Sequence, residues 1–180
     1  MSVAIETIET SRLEGVALEA WRGYLQSHAS IVRELDAELL AEHGMTTRDY
    51  EVLLYLAQAE NRKLPMSQLS ERTMLTRSGI TRLVDGLVDV GVIERVSCSE
   101  DARVSYAKLT DDGYEKLREA GCTHVKSIER LFLAHFSAEE VEVLAGLLSR
   151  LPGATPEGVC SVGAESTGSV QGDAAACSVA

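Results

Sequence analysis

A chain of 180 residues is long enough for one packed domain with an appendage and short for two. Its 45% hydrophobic content is ordinary, while 4% aromatic residues and three prolines favour helix over an aromatic-rich sandwich. A net charge of -11 excludes a surface that is basic throughout, so any phosphate-binding face must be local.

The N-terminus has no signal-peptide pattern, and residues 1–12 are expected to be flexible. Over residues 13–43, Val16, Trp21, Tyr24, His28, Ile31, Leu35 and Leu39 recur near a heptad rhythm with no proline, which predicts one long helix. Gly44 supplies its stop, and Thr46 or Thr47 caps a second helix whose Tyr50, Leu53, Leu54 and Ala57 share a face, ending near Ala59. Residues 61–66, with Pro65, read as an extended connector. Ser67 then caps a brief helix through Arg72, with Leu69 pointing inward.

Thr76 precedes an amphipathic helix in which Ile80, Leu83, Val84 and Leu87 follow i, i+3, i+4, i+7 spacing, and Gly91 ends it. Residues 92–97 and 104–109 are two β-branched-rich runs joined by residues 98–103, which predicts a hairpin with a mobile tip. Thr110, Asp111 and Asp112 open a second long helix, in which Leu117, Gly121, His124, Ile128, Leu131 and His135 carry near-heptad spacing to residue 136. Ser137 with Glu140 makes a capping box for a last helix striped by Val141, Leu144, Leu148 and Leu151. Residues 152–180 hold no Lys, Arg or aromatic residue and are expected to form a disordered tail.

The fold class expected is mostly α with a small β-hairpin wing: helix, four-residue turn, amphipathic helix and hairpin in that order make a winged helix-turn-helix. Its second helix fits the major groove of B-DNA. Arg72, Arg77 and Arg82 lie in a stretch free of carboxylates, and Arg77, Ser78, Thr81, Arg82 and Asp85 stand opposite the apolar stripe of that helix. Arginine grips guanine or phosphate, short hydroxyls reach base edges, and Gly79 permits close approach. A plain solvated helix face is the alternative for any one of these residues.

The residues 66–70 (Met-Ser-Gln-Leu-Ser), 76–85 (Thr-Arg-Ser-Gly-Ile-Thr-Arg-Leu-Val-Asp), 91–95 (Gly-Val-Ile-Glu-Arg), 101–103 (Asp-Ala-Arg) and 109–113 (Leu-Thr-Asp-Asp-Gly) resemble the MarR family of winged helix-turn-helix transcriptional regulators. The resemblance covers residues 13–151. It implies a winged helix-turn-helix over about 47–110 and long N- and C-terminal dimerisation helices over about 13–43 and 110–151. It further implies a homodimer on double-stranded DNA with a pseudo-palindromic operator, contacted by Ser67, Gln68, Thr76, Arg77, Ser78, Thr81 and Arg82. By position Arg103 is the wing arginine that reaches the minor groove, braced by Asp101. The wing departs from the family's frequent basic run, since Ala102 and Val104 flank Arg103 and Glu100 adds negative charge.

Many relatives release DNA when a small aromatic or phenolic effector enters a cleft between the dimerisation helices and the DNA-binding lobe. Trp21, Tyr24, His28 and Tyr50 are the candidates to line it, with core or dimer packing as their other reading. The cysteines at 98, 122, 160 and 177 form no CxxC pair, the four histidines form no compact ligand motif, and no apolar run reaches membrane-spanning length. No catalytic set of recognisable spacing is present, so a cytoplasmic regulator without enzyme activity, metal or cofactor is expected. A winged helix used as a protein-interaction module is the competing class.

Overall fold

The computed structural model describes residues 13–97 and 104–152. The expected flexible N-terminus (1–12), the mobile hairpin tip (98–103) and the tail from residue 153 onward lie outside them.

Helix α1 spans Gly15–His43 and ends where Gly44 turns left-handed at φ 63°, returning its N–H to the Leu40 carbonyl. Leu35 and Leu39 are its only buried residues, so only the C-terminal half enters the core. Helix α2 spans Thr47–Gln58. Thr46, not Thr47, is its cap, in a capping box with Asp49. Thr47 instead donates its N–H to the Asp36 carboxylate of α1 at 2.7 Å. With Tyr50, Val52, Leu53, Leu54, Tyr55 and Leu56 all buried, α2 is the central rod around which the rest packs.

Residues 61–66 are not a plain connector. One turn of 3-10 helix, Glu60–Arg62, leads into a short strand β1, Lys63–Pro65. Helix α3, Met66–Arg72, then starts directly after Pro65, so Ser67 sits exposed in its first turn and is not the cap. Leu69 is fully buried, as its spacing predicts.

Helix α4 spans Arg77–Asp89, capped by Thr76, whose hydroxyl accepts from the Gly79 N–H at 3.1 Å. Strands β2, Ile93–Ser97, and β3, Ser105–Leu109, follow. They complete a three-stranded antiparallel sheet in the order β1-β3-β2, with Ile93 opposite Leu109 and Leu64 opposite Ala107.

Helix α5 spans Asp111–Leu131 and is capped by Thr110. A Cβ on Gly113 would lie 2.1 Å from the Val92 carbonyl oxygen, so this first turn sits directly on the loop that opens the hairpin. The helix does not run to residue 136: the backbone breaks at Phe132 (φ -128°, ψ -63°) and a 3-10 turn, Leu133–His135, follows. There Phe132 and Phe136 pack edge to face at 5.4 Å, a local pairing that heptad counting does not reveal. Helix α6, Ala138–Leu148, opens with the expected Ser137–Glu140 capping box and buries no residue within the chain.

Polar side chains tie the C-terminal half of α1 to α5. Glu38 takes hydrogen bonds from Ser127 and Arg130, and these hold its carboxyl below the usual range. Glu42 accepts from Thr123, whose hydroxyl also meets His43 Nε2 at 2.8 Å. Between α2 and α5, Tyr50 packs on His124 with ring centroids 4.6 Å apart. His124 is 7% exposed, its Nδ1 has no hydrogen-bond partner among the described residues, and burial lowers its pKa.

A histidine with a lowered folded pKa binds fewer protons than in the unfolded chain. Its contribution is therefore intact above the unfolded value of about 6.5 and is lost as pH falls through it. Urea midpoints should drop between about pH 8 and pH 5.5, and His124→Phe should flatten that drop. An equal drop in the variant would assign the acid sensitivity to another group.

Candidate nucleic-acid interface

The geometry of the interface begins with the turn that joins α3 to α4. Ser70 Oγ donates to the Leu75 carbonyl at 2.6 Å, Thr73 Oγ1 to the Leu69 carbonyl at 2.7 Å, and Met74 takes φ 53° between them. Arg48 of α2 reaches the Thr73 carbonyl at 3.3 Å, which fixes the turn from below. These bonds occupy polar groups that would otherwise favour a continuous helix, and they set the crossing of α3 and α4.

Helix α4 presents two faces. Ile80, Val84 and Leu87 are buried, at 1%, 0% and 6% exposure, while Arg77, Ser78, Thr81, Arg82 and Asp85 are exposed. Neither Arg77 nor Arg82 pairs with an acid among the described residues. The hydroxyls are held locally: Thr81 Oγ1 donates to the Arg77 carbonyl at 2.8 Å, and Ser78 Oγ lies 3.2 Å from Thr76 Oγ1. Gly79 has a structural reason beyond close approach, because a Cβ there would lie 3.2 Å from the Thr76 cap oxygen. Ser67 and Gln68 are exposed in the first turn of α3. Thus Ser67, Gln68, Thr76, Arg77, Ser78, Thr81 and Arg82 are all solvent-facing on one helix-turn-helix unit. Arg103 and Asp101 lie outside the described residues.

Asp85 is not a free member of that face. Arg95 of β2 grips its Oδ1 with Nε at 3.0 Å and Nη2 at 2.7 Å, and reaches the Thr81 carbonyl at 3.4 Å. Reading the sequence alone misses Arg95. Strand parity is the signal that finds it: Arg95 is two residues from the inward Ile93, so both leave the same face of β2, toward α4.

The four residues named for an effector cleft fall into two groups within one chain. Trp21, Tyr24 and His28 form a stacked ladder along α1, with centroids 6.1 and 6.2 Å apart, and Trp21 is 52% exposed. Tyr50 is buried against His124 instead. At 1.5 Å per residue, Trp21 stands about 27 Å along α1 from the buried Leu39. An open groove of about 560 Å³ lies elsewhere, beside Arg62, Glu94, Lys108 and Asp111. Its cations are paired, Arg62 with Asp111 at 3.1 Å and Lys108 with Glu94 at 2.7 Å. Among the described residues no helix is long and apolar enough to cross a membrane.

Comparison with known proteins agrees with this geometry. A family model described as the MarR family matches residues 43–104. The HTH-type transcriptional regulator PrsX of Escherichia coli is 32% identical over 111 residues, covering 60% of this chain and 66% of that protein, just under two thirds of its length. The transcriptional repressor MprA of Escherichia coli K12 is 30% identical over 125 residues, covering 68% of this chain and 71% of that protein. Among solved structures, AbsC of Streptomyces coelicolor, a MarR family transcriptional regulator, superposes with a TM-score of 0.72 at 29% identity, covering 77% of this chain and 93% of AbsC. Sco3205 of the same organism, a MarR family regulator solved in complex with DNA, gives a TM-score of 0.72 at 29% identity over 76% of this chain and 89% of that one.

The presentation of α4 depends on its first turn. Thr76→Ala should remove the N-cap and cost about 1 kcal/mol, read as a lower urea midpoint. An unchanged midpoint would show that the cap carries no load.

Proposed function

This chain belongs to the MarR family, a family of transcriptional regulators, and from that premise we propose that it is a sequence-specific regulator that binds double-stranded DNA as a homodimer. The observation that carries the reading is the split of α4. Three buried apolar residues hold its inner face, while Arg77 and Arg82, without acid partners among the described residues, flank Ser78 and Thr81 on the outer one. Arginines and short hydroxyls on a rigid exposed helix are the side chains that read guanine edges and adjoining phosphates. Arg103, with Asp101 as its brace, is proposed as the minor-groove contact of the wing.

The dimer is supported by what one chain leaves uncovered. Trp21, Tyr24 and Leu25 of α1 and Val143 and Leu147 of α6 are all 45% or more exposed, and α6 buries nothing within the chain. Helices at opposite ends of the chain, covered by the same helices of a second copy, would close both surfaces with two-fold symmetry. That symmetry calls for a pseudo-palindromic operator with half-sites about 34 Å apart. Light scattering at micromolar concentration should give twice the chain mass, and a compact monomer would overturn the assignment.

The name of MprA as a repressor supports repression as the output, and the cytoplasm is proposed as the site of action. A small aromatic effector that relieves repression would find the Trp21–Tyr24–His28 ladder exposed on α1 and the Tyr50–His124 pair at the lobe. Residues 1–12 and 152–180 are assigned no part in the domain.

Enrichment of duplexes from a random pool tests the reading directly, and the enriched sequence should be a pseudo-palindrome. On it, Arg82→Ala should cost about 1–3 kcal/mol per half-site and hurt the enriched duplex more than a scrambled one. Arg103→Ala should weaken both duplexes evenly and reduce the salt slope by roughly one phosphate-equivalent per subunit. Binding that is indifferent to salt and to both substitutions would favour a protein-interaction module.

A further inference from the structure

The inner face of the hairpin shows where its hold on the core ends. Ile93 and Leu109 stand opposite one another and are each 2% exposed. Next on that face come Arg95 and Ala107, then Ser97 and Ser105. Beyond Ala107 the face is polar. Strand β3 is flanked by β1 as far as Tyr106, opposite Pro65, but β2 is an edge strand. Among the described residues, the outer part of β2 is joined to α4 by the Arg95 side chain, which crosses to Asp85 and to the Thr81 carbonyl.

We propose that Asp85 and Arg95 form a positioning pair that fixes the angle between α4 and the hairpin, and so sets how well the protein discriminates among duplex sequences. This rests on the DNA-reading role proposed above. The carboxylate lies on the exposed face of α4, where a free acid would repel phosphates of any sequence. Two nitrogens on one carboxylate oxygen neutralise it and restrict how β2 can turn against α4. An exposed ion pair adds little to global stability, so the effect belongs to geometry rather than to folding.

Two simple accounts of Asp85 therefore predict different outcomes. If it were a solvated acid, Asp85→Asn would tighten binding to all duplexes and leave the preference among them unchanged. As a positioning residue, its loss lowers the preference for the enriched duplex over the scrambled one several-fold.

The experiment compares the parent with Asp85→Asn, Arg95→Gln and the double variant. Each is titrated with the enriched and the scrambled duplex at one salt concentration, and amide exchange is followed without DNA. Each single variant should lose preference, and the double variant should lose no more than either single, because both remove the same contact. Arg95→Lys, which keeps the charge but not the two-nitrogen grip, should fall between. Without DNA, the β2 and β3 amides outside Ile93 should exchange faster in both single variants while the urea midpoint stays put. Unchanged preference, or losses that multiply independently in the double variant, would overturn the proposal, as would unchanged exchange. If the parent shows no preference for any duplex, the DNA-reading role fails, while the exchange measurement still decides whether the pair restrains the hairpin.

Discussion

The proposed DNA-reading surface depends on holding a thirteen-residue helix by one face. An isolated helix of that length is marginal in water, so α4 owes its order to tertiary contacts. Ile80, Val84 and Leu87 supply them, each burial contributing roughly 1.5–3 kcal/mol against leaving the side chain in water. The rest of the lobe is arranged to receive those three residues. Helix α2, apolar around most of its circumference, forms the floor, α3 brings in Leu69, and the sheet closes the remaining side with Ile93, Ala107 and Leu109. Because no charged residue lies on the buried face, the exposed one can hold any polar side chain without a packing cost. This separation lets a reading surface change while the fold stays.

The second constraint is the join between this lobe and the long helices. It is more polar than the core. Asp36, Glu38, Glu42 and His43 on α1 meet Thr47, Ser127, Arg130 and Thr123, and the Tyr50–His124 pair sits beside them. Hydrogen bonds to charged groups are directional, so they fix the orientation of α1 on the lobe more sharply than apolar contact would. With α1 so fixed, its N-terminal half projects away from the core, carrying the aromatic ladder. His124 of α5, its pKa lowered by burial, packs on Tyr50 of α2 at this join.

What the sequence revealed is what local chemistry determines. Thr76, Thr110 and the Ser137–Glu140 box act within three residues, and the stripe of α4 repeats within two turns, so both can be read along the chain. The misreadings are non-local or rest on backbone geometry. Strand β1 has three residues and ends in proline, and only its pairing with β3, more than forty residues later, makes it a strand. Ser67 looks like a cap until Pro65 is found to start the helix itself. Heptad spacing carries α5 past Leu131 because it records which residues are apolar, not where the backbone stops being helical. Spacing gives a face and not a partner, so it does not show that Tyr50 packs on His124 while Trp21, Tyr24 and His28 stack along α1. Arg95 was passed over for a similar reason: its partner lies on another element, and only the order of strand and helix in space brings them together.

The overall acidity is then compatible with a DNA-reading surface, and on the proposed reading it is useful. At physiological ionic strength charges are screened over about 8 Å, so a phosphate at α4 responds to Arg77 and Arg82 and hardly to acids several turns away on α1 or on α6. Non-specific DNA affinity grows with the number of phosphates a protein neutralises, whereas discrimination grows with contacts to base edges. A body carrying -11 with a small basic patch, in which Asp85 is paired to Arg95, keeps the first term low. The pairing of Asp85 with Arg95 fits the same economy of charge, since it removes both an exposed acid and a mobile cation from the reading face while using them to hold the hairpin. In such a protein specificity is achieved by limiting how many cations are available, which makes the position of each remaining one matter more.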